Sequence, residues 1–119
     1  MKLHLLPAPQ EIRSTGGVFA LPNPFRISPA PGCGQAADAL IRAVREETGI
    51  PCFAGTRAHM LLGLESGGDP EAYDLVIRPK TIQLVGHGKA GLHYGVQTLI
   101  QILRDRGRAL PCAAIHDRP

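Results

Sequence analysis

The sequence predicts an α+β fold: a two-layer sandwich in which a mostly antiparallel or mixed sheet carries two helices on one face. Three observations lead there. Two segments, Gln35–Thr48 and Lys89–Arg104, repeat apolar residues at helical spacing. YDLVIRPKTIQLVG alternates at period two on both sides of a Pro-Lys turn. The order strands, helix, three strands, helix, strand favours hairpins over repeated βαβ units.

In chain order, LHLLPAP reads as a short extended segment ended by Pro7 and Pro9. EIRSTGGVFALPN then reads as two short strands around Gly16-Gly17, a hairpin signal. FRISP is a brief strand closed by PAPG. Ala37, Leu40, Ile41 and Val44 fall at i, i+3, i+4, i+7, the apolar stripe of the first helix. Gly49 stands where a C-terminal cap glycine belongs, and Pro51 prevents continuation. HMLLGLES is a strand candidate followed by the loop GGDPEA. Tyr73, Leu75 and Ile77 alternate with Asp74, Val76 and Arg78, and Ile82 and Leu84 resume the alternation, so one face of this hairpin meets a core. Leu92, Val96, Leu99, Ile100 and Leu103 line one side of the second helix, Gly107 closes it, and LPCAAI forms a last strand.

A chain of 119 residues is expected to make one domain, residues 1–119. Folding at this size removes roughly 65% of the unfolded surface from water, enough for a core without staples. With five aromatics and no Trp, that core rests on Leu, Ile, Val and Ala. The charge of +3 is mild, and the one basic cluster, Arg104–Arg108, reads as a solvated helix end. No aromatic residues interleave with the charges, so no nucleic-acid partner is expected. No apolar run approaches the ~20 residues that span a bilayer, so no membrane partner is expected either. Cys33, Cys52 and Cys112 have no C-x-x-C spacing and read as reduced, partly buried thiols. MKLHLLPAPQ lacks a signal peptide's long apolar stretch, but a chain that had lost its signal would look the same. The compartment is therefore open: cytoplasmic, or secreted or periplasmic after such a cleavage.

Gly86, Gly88 and Gly91 spell G-x-G-x-x-G between a strand and a helix, the arrangement of a dinucleotide-binding turn. Asp105 lies about twenty positions on, but at the end of the same helix rather than after a second strand. The parallel βαβ units of such a fold do not fit in this chain, so no cofactor is expected. Gly91 and Gly95 are four apart, hence on one helix face, where the backbone must approach the sheet or another domain closely. Gly86 and Gly88 would shape the turn into the helix.

The same region resembles the N-terminal non-catalytic domain of family 20 glycoside hydrolases, the β-N-acetylhexosaminidases. That domain has a hairpin "E-x-Y-x-L-x-I" then "I-x-I", a glycine-rich turn, and a helix "G-x-x-Y-G-x-Q-T-L-x-Q-L". Glu71, Tyr73, Leu75 and Ile77 match the first strand, and Ile82 and Leu84 the second. Gly91, Tyr94, Gly95, Gln97, Thr98, Leu99 and Gln101 match the helix. Ile115, Asp117 and Pro119 are similar to the start of "I-x-D-x-P-R-F", which in that family leads into a catalytic (β/α)8 barrel.

The resemblance implies a non-catalytic accessory domain cut from its barrel, which it packs against and supports. Gly91, Tyr94, Gly95, Gln97, Gln101 and Asp117 are then the candidate barrel-facing or motif residues, and the segment from His116 is the tether. The family's adjacent Asp-Glu catalytic pair lies in the barrel, and no position here corresponds to it. The only adjacent acidic pair, Glu46-Glu47, reads as an exposed helix end rather than carboxyl groups flanking a glycosidic bond. The five histidines have no ligand spacing, so no metal is expected. As it stands the chain is expected to be inactive, with a homodimer as the outcome if the barrel-facing surface is apolar. The alternative is an independent carbohydrate-binding or protein-interaction module, and the scarcity of aromatics counts against sugar binding.

Overall fold

The computed structural model describes Leu5 and residues 9–118. Its elements run β1 (Glu11–Ala20), β2 (Phe25–Pro29), α1 (Gly34–Thr48), β3 (Cys52–Ala54), β4 (Met60–Leu64), β5 (Tyr73–Ile77), β6 (Ile82–Gly86), α2 (Lys89–Arg106) and β7 (Ala109–Asp117). The strands form one mixed sheet in the order β1-β7-β5-β6-β4-β2-β3. The β1–β7, β7–β5 and β5–β6 pairs are antiparallel, while β6–β4, β4–β2 and β2–β3 are parallel. α1 and α2 pack on each other and on the sheet, α1 over β2 and β3 and α2 over β5, β6 and β7. This is the α+β two-layer sandwich expected from the sequence.

The alternation in YDLVIRPKTIQLVG becomes a hairpin with Leu75 opposite Leu84 and Ile77 opposite Ile82. Tyr73, Leu75, Ile77, Ile82 and Leu84 are all buried beneath the helices. The helical stripe is also realised: Ala37, Leu40, Ala43 and Val44 of α1 meet Leu92, Val96, Leu99 and Leu103 of α2 in a single core cluster. At the end of α1 the Gly49 N–H donates to the Arg45 carbonyl at a φ of 73°, the left-handed cap its sequence position implied. No helix among the described residues is long and apolar enough to cross a membrane.

Three local features differ from expectation. Gly16-Gly17 does not turn a hairpin. β1 runs through as one strand along β7, with Ser14 opposite Ala113 and Val18 opposite Pro111. The extra residues are absorbed as a bulge, for which Gly16 and Gly17 take φ of 80° and 85°. A glycine pair that permits positive φ therefore served a bulge, because a longer partner strand lay elsewhere in the chain. Second, Cys52–Ala54 forms a short edge strand parallel to β2 where no strand was assigned. Third, β7 continues past Ile115 to Asp117. The segment expected at LHLLPAP lies outside the described residues apart from Leu5, which is buried, and Pro9.

All three cysteines are free and fully buried rather than partly so. Burial pushes the thiols of Cys33 and Cys112 up, and that of Cys52 to about 11. Since the thiolate is the reactive form, an aromatic disulfide reagent at pH 8 should label none of them until denaturant is added. Rapid labelling of the native chain would contradict this burial.

Candidate functional site

The glycines of the 86–95 segment set how closely α2 sits on the β5–β6 hairpin. A Cβ on Gly91 would fall 2.7 Å from the Ala72 carbonyl carbon and closer still to its oxygen. One on Gly95 would overlap Leu84 Cδ1 and lie 3.1 Å from Tyr73 Cδ2. Both positions thus serve the close approach expected of them. Gly86 and Gly88 do the same, which corrects the turn-shaping role assigned from sequence. Gly88 is extended at φ −178°, a conformation open to any residue. Instead, a Cβ on Gly86 would stand 2.5 Å from Leu92 N, and one on Gly88 2.5 Å from the Pro70 carbonyl oxygen.

The same packing removes the phosphate cradle. The Gly91 N–H, pointing out of the start of α2, donates to the Pro70 carbonyl at 3.0 Å, and the His87 N–H donates to Ala72 at 2.9 Å. The loop before β5 therefore occupies the place where a pyrophosphate would sit.

Beneath the helix, the Tyr73 hydroxyl and Thr98 Oγ1 share a buried hydrogen bond of 2.6 Å. Burial raises the Tyr73 pKa, the Thr98 hydrogen bond opposes this, and the charge of Asp117 adds to the rise. Tyr73→Phe removes this bond while keeping the ring, so we expect a loss of about 1 kcal/mol in denaturant unfolding. A variant as stable as the parent would show that the hydroxyl pair contributes nothing net.

On the opposite side of α2, Tyr94 and Gln97 are exposed and Gln101 is half-buried, all on one helical stripe. The Tyr94 ring lies 5.9 Å from that of His93. On a different face of α2, a groove of about 430 Å³ runs between the helices, lined by Ala36, Ala39, Leu92, His93 and Val96 among others. Among the described residues, the other exposed large apolar ones, Ile12, Val18, Phe53 and Leu61, are scattered over β1, β3 and β4. Tyr94, Gln97 and Gln101 thus share the solvent-facing stripe of α2, whereas Asp117 lies at the end of β7.

Asp117 ends β7 and is nearly buried. Its Oδ1 accepts from the Gln10 N–H at 3.0 Å and from the Arg118 N–H at 2.9 Å. Gln10 Nε2 in turn donates to the Arg118 carbonyl at 3.0 Å. The residues entering β1 and leaving β7 are thereby fastened together around one carboxylate.

Beside it lies a second polar cluster that sequence reasoning missed. Asp74 Oδ2 is 2.8 Å from His87 Nε2, and its Oδ1 meets His116 Nδ1. The period-two pattern did put Asp74 on the face opposite Tyr73. Its histidine partners come from pairings more than ten residues away, which spacing does not reveal. Among the described residues, no group of three or more His, Cys, Asp or Glu is arranged to hold a metal ion.

The other charged candidates serve the helix ends. Glu47 pairs with Arg104 at 3.1 Å, Arg106 with Asp105 at 3.0 Å, and Arg108 Nη2 donates to the Thr48 carbonyl at 2.9 Å. Glu46-Glu47 is thus an exposed helix end, with Glu47 held by Arg104.

A family model described as glycosyl hydrolase family 20, domain 2, matches residues 2–118. The chain belongs to this family. No curated protein matches it. Among solved structures, this family 20 domain 2 is similar to part of the N-acetyl-β-hexosaminidase of Streptomyces plicatus. The two are 27% identical over 95% of this chain and 26% of that one, with a TM-score of 0.80. A glycoside hydrolase family 20 β-N-acetylglucosaminidase is 35% identical over 95% of this chain and 20% of its own, at TM-score 0.68. The exo-β-N-acetylglucosaminidase of Vibrio harveyi is 19% identical over 97% of this chain and 19% of its own; its TM-score of 0.84 speaks for the fold alone. The domain spans about a fifth to a quarter of each of these proteins.

Proposed function

We propose that this domain is the non-catalytic accessory unit of a β-N-acetylhexosaminidase-type glycoside hydrolase. It packs against and supports a (β/α)8 catalytic unit of the same polypeptide. The family model covering residues 2–118 carries this reading. Tyr94, Gln97 and Gln101, on the solvent-facing stripe of α2, form the docking face, with Gly91 and Gly95 fixing the height of the helix that presents it. Asp117 anchors the exit segment.

The reading has a two-part test. The 119-residue chain should not hydrolyse an aryl N-acetyl-β-glucosaminide, and turnover above a heat-inactivated control would overturn it. Tyr94→Glu with Gln97→Glu should change the melting temperature of the 119-residue chain by no more than about 2 °C, since both positions face water. In a polypeptide carrying both units, the same pair should uncouple their unfolding and lower kcat. Equal effects in the two contexts would sink the docking face. The isolated chain would cover the groove with a second copy, so sedimentation should show a dimer at high concentration; a strict monomer would contradict that pairing.

A further inference from the structure

The cluster around Asp74 joins three strands at the end of the sheet from which the chain leaves. Asp74 stands on β5, directly opposite His116 of β7, and His87 follows the last residue of β6. Both carboxylate oxygens are used, one by each imidazole. A carboxylate only accepts, so the ring nitrogen facing it must carry a hydrogen in each case. Neutral rings satisfy this with one tautomer. Protonated rings add an opposite charge and a stronger hydrogen bond.

The surroundings of His87 favour its protonation. Glu11 stands opposite His116 on β1, and Asp69 and Asp117 line the same cleft of about 420 Å³. Glu65 is near enough to His87 to act on its charge. Against these carboxylates, Arg118 is the only Lys or Arg lining the cleft. Its backbone N–H is held by Asp117 Oδ1, so the cluster and the exit segment are mechanically adjacent.

We propose that Asp74, His87 and His116 form a proton-operated clasp, closed in mildly acidic solution and weakened in alkaline solution, which fastens the end of β7 and the Asp117–Arg118 exit to the β5–β6 hairpin. The direction follows from linkage. The Asp74 hydrogen bond raises the His87 pKa above 6.5, with burial opposing and the Asp74 charge assisting. That contribution is complete below about 6.5 and is lost as pH rises through the raised value. Burial raises the Asp74 pKa, but the hydrogen bonds from His87 and His116 outweigh it, and the net value lies below 3.8. That contribution is present above about 3.8 and is lost as pH falls through the lowered value. The clasp is therefore strongest between roughly pH 4 and 6.5. The side chains of Asp74 and His116 are 36% and 45% exposed, so added salt weakens it.

Asp74→Asn in the 119-residue chain tests the clasp, because the amide keeps the shape and removes the charge. At pH 5 and low salt, its melting temperature should lie about 3–6 °C below that of the parent. The gap should at least halve by pH 9 and shrink in 0.5 M NaCl. A gap that is the same at every pH would mean that Asp74 is only a packing residue and would overturn the proposal. Should the variant fail to fold, a histidine NMR titration of the parent decides on its own. His87 titrating above 6.5 supports the clasp, and a midpoint at or below 6.5 refutes it.

Discussion

Gly91→Ala should destabilise this domain by about 2–4 kcal/mol, most of the effect coming from a single methyl group placed against backbone. Taken as a helix substitution alone, the change should stabilise by about 1 kcal/mol. The new Cβ, however, would overlap the Ala72 carbonyl, which already accepts the His87 N–H at 2.9 Å. The Gly91 N–H is itself held by Pro70 at 3.0 Å. Relief therefore requires α2 to lift from the loop preceding β5, breaking both hydrogen bonds and opening the core below Gly95. Against a total stability of about 5–15 kcal/mol, this is a large share, visible as a fall in melting temperature of about 10 °C. Gly34→Ala, at the start of α1 with nothing within 4 Å of its Cβ, is the control. It should shift stability by less than about 0.5 kcal/mol. Equal stability of the two variants would show that the 86–95 glycines do not set the height of the helix.

Asp117→Ala should cost about 2 kcal/mol, because a nearly buried carboxylate accepts two backbone N–H groups. Arg118 is exposed, so its amide recovers a bond to water, whereas the Gln10 contact closes a link between residues 107 apart in the chain. Asp117→Asn keeps an acceptor in place and should recover part of the loss. A second readout separates the charge from the packing. Asp117 raises the Tyr73 pKa, so its removal should move the ultraviolet titration of that phenol downwards. If Asp117→Ala melts within 1 °C of the parent, the entry and exit of the chain are not fastened here.

Both effects trace to residues that stood out in the sequence, for different reasons. Two glycines four apart on an apolar helix had to face something close, because helical geometry is local. The alternation from Tyr73 to Leu84 likewise chose the buried face, since the side-chain period of a strand is two. Pairing between distant segments is not local, and there the reading failed. Gly16-Gly17 permits a hairpin and a bulge equally well; only the presence of β7 as a long partner decides between them. Cys52–Ala54 is too short to show a period and is a strand because β2 lies beside it. Asp74, His87 and His116 have no spacing in common: Asp74 and His87 meet across the β5–β6 hairpin, and His116 joins them only because β7 pairs with β5. The glycine turn misled in the opposite sense. Gly86 and Gly88 had a recognisable pattern, but space rather than backbone dihedral required them.

The central claim, that the α2 face carrying Tyr94 docks on a catalytic unit of the same polypeptide, is open to one direct measurement. Hydroxyl-radical footprinting compares the 119-residue chain with a polypeptide carrying both units, using three aromatic rings as reporters. Tyr94, 39% exposed, should be oxidised readily in the short chain and protected several-fold in the long one. Tyr73, at 2% exposure, should be protected in both, and Phe53, on the edge strand β3, should be oxidised in both. Tyr94 oxidised at the same rate in the two proteins would contradict the account.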